Sequence, residues 1–588
     1  MNRSDGLIGG LLATGVVALL VPLAHLGIDQ HHDGIMLKPA LDVLSGQVLF
    51  RDSFSQYGAL TTYLQAMALW VWPSLLSIRL LTVAAYGITL FMLYAAWRLI
   101  LPRSLAVLSC ILFVLFIPAY ERDYWNHEYW LLSPWSSVFA MLFQSIGLYA
   151  LFRMILGGQP RQWGMLCGVA TACVFWCRQP VGIIMAGCLG VIWLALHWTN
   201  WTPGTHRKRS VLCGLLAGFF AANALLLGEL YITGALPQWW YQNFVWPGRW
   251  SGSMEWRDTL KLSIHPASCA GLLLLLAAIA LPGWLKKHLP DRASRFVPLY
   301  YGGLALVLAW QSPWLLRVTA LREGGWGALF PLVVLAQAVV SLVPVFTGRE
   351  QPKSTEYYLV ASLAALSLGS LVQFYPMADS WHMVWALAPT FGLVTHALWR
   401  WSGWREPVLA AVLLALLFPA AYLRARAMVK IMDQPAVTLT APAALRGMKV
   451  PAVQAHTYRQ IVDALAPILK YQPDISSALI GNDAIFLCFT NNRSNPSPFY
   501  VTWRGLADND ANISRWNYIQ TVRPLMFLHK ARWEAVDDFY RRARYIPLLY
   551  LPEEMLEIAV PQELADALGL KAYGAASAAP ATQPTPKP

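Results

Sequence analysis

IDQHHDGIMLKPALDVLSGQVLFRDSFSQYG, residues 28–58, is a polar, acid-bearing segment set directly after the first apolar stretch of a chain otherwise dominated by long hydrophobic runs. It carries Asp29, His31, His32, Asp33, Lys38, Arg51 and Asp52. Charged groups beside a bilayer are costly unless they are paired or used. This density therefore predicts a loop with chemistry rather than a bland connector. Within it, GIMLKPALDVLSG has the apolar spacing of a helix, broken by Pro39 and ended by Gly46. ALTTYLQAMALWVWP predicts a second helix that stops at Pro73. Both fit helices lying on the membrane surface better than they fit spans.

Around that loop the composition is that of an integral membrane protein. The 588 residues are 57% hydrophobic and 13% charged, where a soluble domain has nearer a quarter charged. Apolar runs of about 20 residues recur along most of the chain, the length needed to cross a bilayer. Several of the Trp and Tyr residues sit at the ends of these runs, as aromatic belts require. The net charge of +13 comes from Lys and Arg scattered among helix ends. That pattern fits cytoplasmic loops facing anionic lipid and argues against nucleic acid as a partner. The eight cysteines show neither a disulfide framework nor zinc-ligand spacing.

The hydrophobic pattern predicts about thirteen spans, at 7–27, 75–100, 104–120, 134–155, 162–177, 181–199, 210–232, 264–284, 296–311, 326–346, 357–375, 383–399 and 406–423. The first reads as a retained signal-anchor. Arg98 and Arg103, Arg153 and Arg161, Arg207 to Arg209, Lys286 to Arg295, and Arg349 to Arg405 all fall in loops on one side. By the positive-inside rule that side is the cytoplasm, as is the N-terminus. The first loop (28–74), the loops at 121–133 and 233–263 and the tail from 424 then face the opposite, extracytoplasmic side of a bacterial inner membrane. Arg424, Arg426 and Lys430 run against this placement, and one span fewer would turn the tail inward. The expected architecture is an α-helical polytopic domain over 1–423 and a small α/β domain over 424–573. Low-complexity sequence follows from 574 to 588. ALIGNDAIFLCFTNN and PSPFYVTW predict strands, and ARWEAVDDFYRRARYIPLLYL a helix followed by a strand.

The order of first span, acidic loop, surface helices and Arg-led second span resembles the GT-C superfamily of membrane glycosyltransferases. Protein mannosyltransferases and lipid A aminoarabinose transferases belong to it. The resemblance is closest over 28–82, in HDGIMLKPALDVLSGQVLFRDSFSQYGAL and SIRL, and continues more weakly to about 400. QFYPMADSWH resembles a Pro-x-x-Asp-x-x-His segment of a late extracytoplasmic turn in relatives. The chain departs from the pattern in two places. His32-Asp33 stands where Asp-Glu is frequent, and Ala59 where Pro is usual. The resemblance implies an inverting transfer of a sugar from a polyprenyl-phosphate donor, such as an undecaprenyl one, to a lipid, glycan or protein. A transporter or flippase, and a ligase or polymerase of lipid-linked glycans, are the competing readings.

Such a transfer needs a base for the acceptor hydroxyl and cations for the leaving phosphate. Asp33, beside the membrane surface, is the expected catalytic base, against the competing reading of a helix cap. His32 is placed to orient it or to hold the sugar. Asp29 reads more readily as a helix-end group. Asp123, His127 and Glu128 in ERDYWNHEYW, and Asp379 and His382 in PMADSWH, are expected substrate contacts. Arg178, in FWCRQPVG between two tightly coupled spans, is the sharpest lipid-phosphate ligand, followed by Lys38, Arg51 and Arg249. Arg51 beside Asp52 also reads as a local salt bridge, and Arg79 as structural. No cofactor is implied. A divalent cation on Asp33, Asp123, His127 and Glu128 is chemically allowed, but no spacing demands it.

Overall fold

A computed structural model describes residues 2–117, 121–122, 128–129, 132–245 (except 158 and 199–204) and 247. It further describes 354–374, 385–490 (except 403–404 and 482), 517–529 and 542–573. The expected spans at 264–284, 296–311 and 326–346 lie outside these residues, as does the predicted strand at 496–503.

Among the described residues, six helices are long and apolar enough to cross a membrane. They contain α1 (Arg3–Leu20), α4 (Leu75–Trp97), α6 (Ser136–Leu156), α8 (Gln179–Trp198), α9 (Thr205–Ile232) and α11 (Thr355–Ser370). Shorter or less apolar helices fill the bundle: α5 (Arg103–Phe116), α7 (Pro160–Cys177), α12 (Thr390–Ser402) and α13 (Glu406–Met432). One large apolar core joins α1, α4, α5, α6, α8, α11 and α12. Helices α7 and α9 approach closely along their length. A side chain at Gly168 would sit 2.1 Å from the Leu215 carbonyl oxygen, and one at Gly218 2.1 Å from that of Met165. Gly164 and Gly168 face Gly214 and Gly218, the four-residue small-residue spacing that lets membrane helices touch backbone to backbone.

The first loop folds into the two expected helices, α2 (His32–Leu44) and α3 (Ala59–Val71). Pro39 does not break α2, which continues through it. Gly46, at φ +86°, turns the chain out of the helix. Thirteen residues make about 20 Å of helix, too short to span. A brief helix, α10 (Leu236–Trp240), leads into one π-helical turn at Tyr241–Val245 beside the loop.

Helix α13 runs unbroken past the expected boundary at 423 to Met432. At about 1.5 Å per residue it is roughly 40 Å long, beyond the hydrocarbon thickness of about 30 Å. Arg424, Arg426 and Lys430 therefore ride on its last turns rather than opening the tail domain. The α/β unit begins after it. β3 (Val437–Thr438) pairs with β4 (Lys449–Val450). α14 (Ala452–Tyr471) then buries Tyr458, Ile461, Leu465 and Ile468 along one stripe. A four-stranded mixed sheet has the order β5 (Ser477–Ile480), β6 (Leu525–His529), β8 (Leu556–Pro561), β7 (Tyr545–Leu551). Only β5–β6 is parallel. A closing helix, α15, covers Gln562–Leu568. Of the predicted strand at 478–492, only the start is extended; Ala484–Phe489 is a buried 3-10 turn.

That turn packs directly on α2. Ile35, Met36, Leu37 and Ala40 share a single core with Leu445, Tyr458, Ile485, Phe486 and Phe527 of the tail. First loop and tail are thus two parts of one body on one side of the bundle.

Candidate functional site

The start of α2 is built by two aspartates whose carboxylates accept from backbone N–H groups there. Asp29 Oδ1 accepts from the His31 and His32 N–H groups, both at 2.9 Å, and Asp33 Oδ2 accepts from the Asp29 N–H at 2.9 Å. Asp29 is therefore the capping acceptor for the orphan donors at this helix start. Its other oxygen lies 2.5 Å from His32 Nδ1. Burial pushes the Asp29 carboxyl up, but the charge and hydrogen bonds of His32, with His31 behind, outweigh it and hold it below the usual carboxylate range.

Asp33 is placed differently from its expected role as base. It is 0% exposed, as is Arg79, whose Nη2 donates to Asp33 Oδ2 at 2.5 Å. Arg79 also donates from Nη1 to Leu26 O at 2.7 Å and Ala24 O at 3.3 Å. Burial raises the Asp33 carboxyl against the pull of Arg79. In this arrangement Oδ2 is committed to Arg79, while Oδ1 is buried without a hydrogen-bond partner among the described residues. The Arg79–Asp33 pair is a structural bolt between α4 and the loop, which agrees with the structural role expected for Arg79.

The open side of the site is at His32, 37% exposed with Asp29 at 20%. The His32 ring lies against Trp135 (centroids 4.4 Å), and Trp135 against Trp385 (5.4 Å). Tyr57 meets Trp135 edge-on at 6.2 Å. Arg178 sits over the Trp385 ring at 5.9 Å and donates to Ser137 Oγ. Burial raises the Tyr57 phenol to about 12, partly offset by the Arg178 charge. The acid–imidazole pair, a wall of aromatic rings and a guanidinium thus form one connected cluster. It draws on the first loop, the start of α6, the α7–α8 junction and the segment before α12.

Backbone contacts explain how distant elements meet there. Gly58 N–H donates to Cys177 O at 3.2 Å, and a side chain at Gly58 would lie 2.0 Å from Trp176 O. The junction carrying Arg178 is thereby pressed onto the loop. Gln179 Nε2 donates to Asn243 Oδ1 at 2.7 Å, and Gln242 Nε2 to Phe50 O at 2.8 Å, so the π-helical turn ties both sides together.

The other expected ligands fare unequally. Lys38 is buried and ion-paired with Asp42, which also accepts from Ser53 Oγ at 2.6 Å. It is a helix-internal pair one turn apart. Arg51 donates from Nε and Nη2 to Asp52, both at 2.9 Å, and from Nη1 to Thr233 O at 2.8 Å. The local salt bridge is what forms, against the end of α9. Asp123, His127, Arg249, Asp379 and His382 lie outside the described residues. Glu128 is described only as part of β2 (Glu128–Tyr129), which pairs with β1 (Glu121–Arg122). Trp135, Trp385 and Tyr57 were not singled out from sequence; an aromatic residue at a span end reads there as a belt residue.

No family model matches the chain, and no curated protein matches it in sequence. Solved structures do show likeness. The oligosaccharyltransferase of Archaeoglobus fulgidus with Zn and sulfate is 11% identical at TM-score 0.44, over 95% of this chain and 73% of that one. The same organism's oligosaccharyltransferase AglB, with an inhibitory peptide and a dolichol-phosphate, is 11% identical at TM-score 0.44, over 95% and 74%. ArnT from Cupriavidus metallidurans bound to undecaprenyl phosphate is 11% identical at TM-score 0.42, over 95% and 98%.

Proposed function

We propose that this protein is a membrane glycosyltransferase that moves a sugar from a polyprenyl-phosphate donor to a hydroxyl-bearing lipid, glycan or protein on the extracytoplasmic face. The observation that carries the proposal is the half-open Asp29–His32 pair facing aromatic rings and Arg178. Asp29 fixes the His32 ring through Nδ1, the arrangement that makes the far nitrogen of an imidazole a general base. As the acceptor oxygen attacks the anomeric carbon, its proton passes to His32. The bond from that carbon to the phosphate oxygen breaks, and the electron pair leaves with the lipid phosphate. Arg178 supports the departing charge, since a guanidinium matches phosphate geometry. One in-line displacement inverts the anomeric centre. The Trp135, Trp385 and Tyr57 rings suit the apolar face of a sugar or the first isoprene units.

What supports His32 and Asp29 over Asp33 as the acid–base centre is exposure and commitment. Asp33 remains essential to the loop through Arg79. The test uses purified protein in lipid nanodiscs with a panel of synthetic polyprenyl-phosphate sugars, identified in parallel from glycolipid mass spectrometry of cells with and without the protein. His32→Gln is expected to lower transfer by about 10²–10⁴-fold with the thermal transition unchanged. Wild-type rates in that variant sink the assignment. Movement of intact donor across vesicles with no covalent product supports the flippase reading instead.

A further inference from the structure

The segment that carries Asp29 is held from two sides, and one of them is the tail. Arg79 grips it from the bundle through Ala24 O and Leu26 O. From the other side, the Lys449 N–H donates to His25 O at 2.6 Å and the Gly27 N–H donates to Lys449 O at 2.8 Å. Leu26 is thereby bridged in parallel to β4, as an added strand. Farther along, the Ile485 N–H donates to Gln30 O at 3.0 Å. Gln454 Nε2 donates to Tyr458 Oη at 2.9 Å and reaches Ile28 O at 3.4 Å. Helix α2 comes so close that a side chain at Gly34 would lie 2.1 Å from the Ile485 nitrogen. A loop of this length, left to itself, samples many conformations. Here four carbonyls, at His25, Ile28, Gln30 and Leu26, are taken up by partners outside the loop.

We propose that the C-terminal domain is a positioning part of the active site, with Tyr458 as its key residue: it clamps residues 25–30 so that Asp29 and His32 face the acceptor. This rests on the reading of Asp29–His32 as the acid–base pair. Tyr458 touches no reacting atom. Its ring is fully buried, and its hydroxyl accepts from Gln454 Nε2, one turn earlier on α14, which also reaches Ile28 O.

The experiment compares full-length wild type with Tyr458→Phe and Gly34→Ala in nanodiscs. Tyr458→Phe keeps the buried ring and removes the hydroxyl alone. Hydrogen exchange is read at Gly27, Asp29, His31 and His32, whose amides are bonded in the native protein. The expected result is exchange at least about tenfold faster at these amides. With it, kcat for transfer falls about ten- to a hundredfold, because small misplacements of a catalytic group are costly. The donor KM stays within about twofold. Unchanged exchange in both variants overturns the clamp. Faster exchange with wild-type kcat overturns its role in positioning. Loss of donor binding and kcat together, restored by cooling, shows a merely structural domain and also overturns it. A wild type inactive on every donor defeats the acid–base assignment, while the exchange result still decides whether the clamp exists.

Discussion

Two aspartates four residues apart, Asp29 and Asp33, have been given opposite fates by their neighbours. Asp33 meets Arg79 in full burial, and breaking such a pair by removing one partner strands a charge at a cost of about 3–5 kcal/mol. Asp33→Asn and Arg79→Gln are therefore expected to lower the thermal transition sharply and reduce the yield of folded protein. If Asp33→Asn instead keeps its stability and loses only transfer, Asp33 is the base after all. Asp29→Asn should behave in the reverse way. It keeps the capping oxygen but loses the charge that orients His32, so transfer falls by about 10²-fold or more, with a smaller loss of stability than in Asp33→Asn. The pH dependence follows from the same group. The native Asp29 carboxyl is held below its usual range, so its stabilising contribution is complete above the ordinary carboxylate value. It is lost as pH falls through the depressed native value. Acid unfolding monitored by circular dichroism should be less steep in Asp29→Asn than in wild type.

At the scale of elements, helix periodicity and Gly/Pro punctuation were enough to read α2 and α3 and the spans that frame them. Gly46 ends α2 because the chain needs a positive φ there, a requirement written in the residue itself. Lys38 and Asp42, one turn apart, could have been read as a helix-internal pair; what hid it was the assumption that a cation near a bilayer awaits phosphate. The different pairing of Asp29 with His32 and of Asp33 with Arg79 was not legible, because the second depends on Arg79 folding back from α4. The ring wall was hidden for the same reason, since Trp135 and Trp385 meet only in three dimensions. The Gly164–Gly168 and Gly214–Gly218 pairs were in plain view as spacing. Gly168→Ile should drive α7 and α9 apart, since overpacking a close contact costs about 1–3 kcal/mol or more. Protease resistance and the thermal transition in detergent would report it, and an unchanged transition would mean the two helices have another mode of contact.

For the molecule as a whole, the shared core of first loop and tail fixes topology more firmly than any count of spans. Leu44→Cys on α2 and Tyr471→Cys on α14, both at exposed positions, should be labelled by an impermeant maleimide from the same side of the membrane. The measurement is made in a background without the native cysteines, and labelling from opposite sides would break the packing described here. The same packing turns the tail from an appendage into half of the loop's interior. Its backbone lies against Gly34 with no room for a side chain.

That contact also sets an order of events during synthesis. The loop bearing Asp29 and His32 is translated about 400 residues before the backbone it rests on, at Lys449 and Ile485. Until the tail is made, the face of α2 that packs on it is unburied and residues 25–30 lack their bonds from Lys449, Gln454 and Ile485. The stretch translated earlier is thus completed only by the part translated later, and a polypeptide interrupted between them lacks the tail's bonds to residues 25–30.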